Sequence, residues 1–241
     1  MPGRTYGQYC GFARALEMVG ERWALLIVRD LTVGPRRFTD LRRGLPGVPT
    51  NILAARLKEL ELDGVVRRRL LPRPAGSVVY ELTAYGAELE DVVFRLGLWG
   101  ARSLGQPRPG ETVTVDSLIV ALRATFRPDA ARNLRVKYEL RLGEIVLHAR
   151  IEDGTLNAGA GPLEAPDLVI DTQLALRALM AGEMSPAKAI ASGSVHLAGD
   201  PSLLERFADV FHIPPAPAAS PRMIEAERAA GGRAPHAASS R

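Results

Sequence analysis

Six residues, Gly105-Gln106-Pro107-Arg108-Pro109-Gly110, constrain this chain more than any other stretch, because their two prolines forbid helix continuation and the glycines act as flexible stops. They divide 241 residues into two parts, each long enough to bury its own core. The expected organisation is a first domain over 1–105, a linker over 106–113, a second domain over 114–213 and a disordered tail over 214–241. In that tail Pro, Ala, Gly and Ser bury too little surface to offset the entropy of ordering. Charge follows the same cut: +5 over residues 1–105, −3 over 106–215 and +2 over 216–241, masked in an overall +4. No apolar run approaches the roughly 18 residues of a membrane span. No apolar segment of a signal peptide follows Arg4, and the single cysteine makes no internal disulfide. A cytoplasmic protein without a membrane partner is expected.

The basic half reads as helices followed by a hairpin. ERWALLIVRDLTV (21–33) places Trp23, Leu26, Ile27 and Leu31 at helical spacing, with Gly34-Pro35 as a stop. FTDLRRGLP (38–46) sets Phe38, Leu41 and Leu45 against Asp40, Arg42 and Arg43, and GLPGVP turns the chain. TNILAARLKELELDG (50–64) carries an apolar stripe of Ile52 or Leu53, Leu57 and Leu60, ending on a glycine suited to a left-handed cap. Two helices across a glycine-containing turn make a helix-turn-helix. VVRRRLLP (65–72) and SVVYELT (77–83) are β-prone runs around Arg73-Pro74-Ala75-Gly76, a hairpin with a basic tip. The combination is the winged-helix arrangement, in which the second helix fits a DNA major groove and cations at helix ends and wing neutralise phosphates.

From Tyr9 to Val66 the order of segments, a cysteine before an ARAL helix, GERW–LLI–RDL, RRFTDLRRGLPG and LxxRLKELE, with VYELTAYG after the wing, resembles the HxlR family of winged-helix bacterial transcriptional regulators. The resemblance implies transcriptional control by a homodimer bound to a double-stranded DNA operator. By position, Thr50, Asn51, Ala54, Ala55 and Arg56 occupy the outer face of the recognition helix and are the candidate base readers. Arg36, Arg37, Thr39, Arg42, Lys58, Arg73 and Ser77 are the candidate phosphate contacts, whereas strand alternation turns at least one of Arg67, Arg68 and Arg69 away. GAELEDVVFRLGLWGARSLG (86–105) is expected to be helical. Its Leu89, Val92, Val93, Leu96 and Trp99 are either core or, as the resemblance favours, the dimer interface. Cys10 stands where some members of the family carry an oxidant- or electrophile-sensing thiol. Here Gly11 replaces the usual following proline and no second cysteine exists to resolve it, so it is either a candidate redox thiol or a small packed residue.

The acidic half opens on an amphipathic helix, DSLIVALRATF (116–126). RVKYELRL (135–142) and EIVLHARIE (144–152) then alternate with period two, and Asp153-Gly154 before TLNAGAG signals a hairpin. DLVIDT (167–172) is a further strand, followed by helical segments at 173–180 and 185–193, a short strand SVHLAGD and a last helix PSLLERFADVF (201–211). APDLVIDT, MSPAKAI and GSVHLAGD in this order resemble the sterol carrier protein superfamily of lipid-binding domains. The resemblance implies an apolar cavity between a mainly antiparallel sheet and covering helices, with Phe126, Leu176, Met180, Met184, Leu197, Leu204, Phe207 and Phe211 as candidate liners. The fold class expected is therefore α+β, a winged helix-turn-helix followed by a sterol-carrier-like domain.

Catalytic chemistry finds no footing: His148, His196, His212 and His236 lack metal-ligand spacing, GAGP at 159–162 precedes no helix, and no G-x-S-x-G elbow occurs. Neither catalytic residues, nor a metal, nor a cofactor are expected. The reading that joins both halves is a dimeric DNA-binding repressor whose second domain senses a small apolar ligand. The alternatives are a ligand-blind or Cys10-responsive repressor with a purely structural second domain, and a lipid carrier whose winged helix binds a protein.

Overall fold

The computed structural model describes residues 5–72 and 76–215. Arg73 and the tail from residue 216 onward, with His236, lie outside the described residues.

The first unit runs α1 (Gly11–Val19), α2 (Ala24–Val33), α3 (Phe38–Gly44), α4 (Thr50–Leu62), β1 (Val66–Leu70), β2 (Val78–Leu82), α5 (Ala84–Ala87) and α6 (Glu90–Ala101). Its core gathers Ala24, Ile27, Val28 and Leu31 of α2, Leu41 and Leu45 around α3, and Leu53, Leu57 and Leu60 of α4. The expected stripe on α2 is rotated. Ala24, Ile27, Val28 and Leu31 share one face at 3.6 residues per turn, so Leu26 lies off it and is 40% exposed, while Trp23 precedes the helix with φ 80°. On α4 it is Leu53, not Ile52, that enters the core.

The helix-turn-helix ends on a Schellman cap. Gly64 sits at φ 73°, its N–H donates to Glu61 O, and Val65 N–H donates to Leu60 O at 2.9 Å. The chain then enters the wing, where β1 and β2 pair antiparallel from Val66↔Leu82 to Leu70↔Val78. A third segment joins them: Arg36 N–H donates to Tyr80 O at 2.9 Å and Tyr80 N–H to Arg36 O at 2.8 Å. The helix expected over 86–105 is interrupted instead. Thr83 Oγ1 accepts from Gly86 N–H at 2.9 Å and donates to Gly64 O at 2.6 Å, closing α5 as a short turn before α6 begins.

The second unit runs α7 (Val115–Thr125), a 3-10 turn (Pro128–Ala131), β3 (Arg135–Leu142), β4 (Ile145–Glu152), β5 (Thr155–Ala160), β6 (Leu168–Asp171), α8 (Ala175–Met180), α9 (Pro186–Ala191), β7 (His196–Gly199) and α10 (Leu203–Val210). The helices and strands lie within about two residues of where the periodicity and turn residues place them, and the 3-10 turn is an addition to that reading. The sheet order is β5-β4-β3-β6-β7, with β3 and β6 parallel and the other three pairings antiparallel. Asp153 at φ 45° and Gly154 at φ 77° make the tight connection of β4 to β5. Val136, Tyr138 and Leu140 of β3 and Leu147, Ala149 and Ile151 of β4 point into one core with α7, α8 and α10. Within it Tyr138 and Phe207 meet edge to face at 5.3 Å, and Phe207, Phe211 and Phe126 continue the row at 4.7 and 5.7 Å between ring centres.

The units are docked through α7, which packs on both α2 and α6, and Val33 and Ala101 of the first unit extend the second core. Thr114 and Ser117 cap α7 reciprocally, at 3.3 and 3.1 Å. Two polar anchors on α7, seven residues apart, flank the apolar contact. Asp116 accepts from Arg36 Nε at 2.8 Å and Nη2 at 2.6 Å, and Arg123 Nη1 donates to Thr32 O at 3.0 Å.

Candidate nucleic-acid interface

The start of α4 is open to solvent. Pro49 in extended conformation precedes the helix, and Thr50, Asn51 and Ala54 are exposed, with Ala55 half-buried. Beside them Arg37, Thr39 and Arg42, at the start and along the face of α3, and Lys58 of α4 are exposed as well. Arg37, Arg42 and Lys58 make no ion pair among the described residues, so their charge is available to an outside anion. A cleft of about 300 Å³ separates α4 from the wing, lined by Ala54, Lys58, Glu61, Leu62, Arg68 and Tyr80.

Several expected contacts belong elsewhere. Arg56 is turned inward, its side chain 17% exposed, and it is tied to Glu21 at 3.4 Å and to Glu59. In that position it braces α4 against the turn before α2, with its charge engaged by two carboxylates. Arg36 is likewise withdrawn, because alternation along the extended stretch before α3 sends its side chain to Asp116 while Arg37 faces out. Ser77 is half-buried and its Oγ has no partner among the described residues. On β1, Arg67 and Arg69 share Glu81 at 2.9 and 2.8 Å, and Arg68, on the opposite side, meets Glu61 at 3.0 Å. Of the phosphate candidates, Arg73 falls outside the described residues.

An apolar stripe runs along α6. Val92, Leu96 and Trp99, spaced by four and three residues, are 53%, 48% and 68% exposed. Val93 points the other way into the core, with Leu89 packed against the same cluster, so these two belong to the monomer. Tyr6, Tyr9 and Phe12, before and at the start of α1, are also largely exposed. Cys10 occupies the N-cap of α1 with its thiol open to solvent, and the N–H groups of Ala13 and Phe12 lower its pKa by stabilising the thiolate.

The residues taken as cavity liners are packed. Leu176, Met180, Leu204, Phe207 and Phe211 are buried in the second core, with Phe126, Met184 and Leu197 partly buried against it. Neither of the two most developed concavities among the described residues is lined by them; the second lies over Arg135, Lys137 and Arg150 on the outer side of the sheet. No group of three or more His, Cys, Asp or Glu is placed to hold a metal among the described residues, and no described helix is long and apolar enough to cross a membrane.

One helix offering its first turns outward beside a two-stranded wing, with unpaired cations around it, defines the winged helix-turn-helix class. The chain belongs to the HxlR-like helix-turn-helix family, whose model matches residues 18–107. It is 36% identical over 100 residues to the HTH-type transcriptional regulator YtcD of Bacillus subtilis (strain 168), spanning 42% of this chain and 79% of the relative. It is also 36% identical over 99 residues to the HTH-type transcriptional regulator YodB of the same organism, spanning 41% and 86%. Among solved structures, the redox regulator HypR in its oxidized form is 32% identical over 38% of this chain and 94% of that one, with a TM-score of 0.36.

Proposed function

We propose that the protein is a sequence-specific transcriptional repressor that binds an operator duplex as a homodimer. The observation that carries this reading is the outward first half of α4, flanked by Arg37, Arg42 and Lys58, which have no ion partner among the described residues. Names of the relatives, HTH-type transcriptional regulators, agree with it. Selection of an operator from random duplexes tests it. Asn51→Ala is expected to cost about 1–3 kcal/mol of discrimination at one base pair. Arg42→Ala is expected to weaken all duplexes alike and to reduce the salt slope by about 1. An unaltered slope would remove Arg42 from the interface.

The exposed Val92, Leu96 and Trp99 stripe is the proposed dimer seam, presenting two α4 helices to half-sites roughly 34 Å apart. Trp99→Glu is expected to shift the protein to monomer in sedimentation; a dimer of undiminished affinity would place the seam elsewhere.

The second unit is proposed to be sterol-carrier-like. Its order of helix, three antiparallel strands, a crossover to a parallel strand, short helices, strand and final helix supports this reading. In it the unit senses a small apolar ligand by opening between the sheet and α10, and native mass spectrometry of freshly purified protein tests whether such a ligand is carried.

A second reading, thiol response, is favoured by the solvent-open Cys10 at a helix N-cap, where two backbone N–H groups stabilise the thiolate. With one cysteine in the sequence, the modified form is a sulfenic or higher acid, an adduct, or a disulfide to another molecule. Operator release by diamide or quinone should vanish in Cys10→Ser, and persistence of the response would exclude the thiol.

A further inference from the structure

The geometry points to Asp116 as a positioning residue through which the second unit sets the wing; we infer that it acts by holding Arg36, whose backbone is the third member of the wing sheet. The inference rests on the DNA-binding reading and adds a route of control to it.

The path is continuous. Asp116 lies in the first turn of α7, where the helix dipole already favours a carboxylate. Both its oxygens engage the Arg36 guanidinium, at 2.8 and 2.6 Å, in a pair left only 24% and 13% exposed on its two sides. The peptide groups of Arg36 exchange two hydrogen bonds with Tyr80. Tyr80 stands opposite Arg68 in the hairpin register and, with Arg68 and Lys58, lines the cleft between the wing and α4. A displacement of α7 is thus passed through one side chain and one pair of backbone hydrogen bonds to the cleft between the wing and α4.

The local design fits a coupling element better than an incidental ion pair. The Arg36 side chain faces away from the proposed duplex, so it gives up no phosphate contact by serving the second unit. Arg123 fixes the same face of α7 to the end of α2 at Thr32, which leaves Asp116 as the anchor on the wing side. Arg29 and Asp30, paired at 2.7 Å within α2, add further charges to the junction, with Asp30 fully buried and close enough to feel both Arg36 and Asp116. A junction of this kind has discrete arrangements, paired or unpaired, which is what transmission between sites requires.

The test is made on the full-length protein with Asp116→Asn and with the exchanged pair Arg36→Asp/Asp116→Arg. Hydrogen exchange at the Tyr80 amide, measured without DNA, is expected to accelerate about tenfold in Asp116→Asn, with partial recovery in the exchanged pair. Operator affinity is expected to fall about tenfold, within the usual range of coupling between sites, with the salt slope unchanged because no phosphate contact is lost. Thermal unfolding that remains cooperative in both variants keeps misfolding apart from uncoupling. Wild-type exchange at Tyr80 in Asp116→Asn, or accelerated exchange with wild-type affinity, overturns the inference. So does a slope that rises by about 1, since it would mean Arg36 swings to the duplex. Absence of duplex binding by the wild type would instead defeat the DNA-binding reading, leaving the exchange result to judge the clamp by itself.

Discussion

Gly86→Ala should destabilise the winged-helix unit by about 3 kcal/mol or more, at the upper end of what single substitutions do. A Cβ at this position would stand 2.0 Å from Val65 O and 2.9 Å from Val65 C, atoms of backbone that cannot rotate aside. Val65 is pinned on both sides: its N–H closes the α4 cap on Leu60 O, and its carbonyl accepts from Thr83 N–H. Moving it therefore loosens the end of α4 and the root of the hairpin together. The measurement is denaturant unfolding alongside operator binding, with both expected to suffer. A loss below about 1 kcal/mol, with binding intact, would show that the wing root yields more easily than its hydrogen bonds imply. Gly199→Ala makes the matching experiment in the second unit, since there φ is +113° and the added carbon would lie 2.2 Å from Asp167 O. Its damage should fall on the β6–β7 edge and leave the hairpin paired.

The pH dependence of stability should carry an unusual contribution from Asp30. Burial raises its carboxyl from 3.8 to about 6, partly opposed by the charge and hydrogen bond of Arg29, with Asp116 pushing it further up and Arg36 pulling it down. One oxygen accepts from Arg29 Nε at 2.8 Å while Oδ2 is buried without a partner. The folded chain thus holds this proton more tightly than the unfolded one does. The cost of ionising Asp30 is absent below the unfolded value near 3.9, builds as pH rises and is complete above about 6, where it amounts to about 3 kcal/mol. Other carboxylates contribute in the usual opposite sense, so the quantity to follow is the difference in unfolding free energy between wild type and Asp30→Asn. Wild type should gain on the variant by about 2 kcal/mol between pH 7.5 and 4, and approach the full difference only below that. A difference that stays flat over this range would mean that Asp30 ionises as freely as a surface aspartate.

Much of the fold was legible because it is written in local periodicity. The alternation of β3 and β4, the Asp153-Gly154 connection and the Gly64 cap each depend on a few adjacent residues, and each forms where those residues stand. The exposed half of α4 was legible for the same reason: three leucines fix one face and so define the other. Not legible were the ion partners that come from far along the chain. Arg36 looks like a phosphate contact until α7 brings Asp116 to it across 80 residues, and Arg56 looks like a base reader until Glu21 is folded beside it. A long cationic side chain reaches in many directions, and sequence position alone does not choose among them. Val93 was hard for a related reason, since a helix apolar around much of its girth offers two faces to two neighbours. The inward turn of Asp30 had no signal in its neighbours beyond its place three residues after Ile27 and one before Leu31, which puts it at the margin of the buried face.

The row of rings from Tyr138 through Phe207 and Phe211 to Phe126 bears on the ligand sensing proposed for the second unit. With that row closed, a guest must first separate side chains already in contact. Opening even roughly 300 Å³, the low end for a ligand site, costs on the order of 7 kcal/mol at about 24 cal/mol per Å³. Each 1.4 kcal/mol is tenfold in affinity, so the closed row would weaken binding of such a ligand by about five orders of magnitude relative to a preformed site. A compound that would bind an open version at roughly 0.1 nM would half-saturate this one near 10 μM. A regulator built on such a unit answers to abundance and ignores traces, and its threshold would be set by how readily Phe207 and Phe211 part, more than by the chemistry of the compound itself.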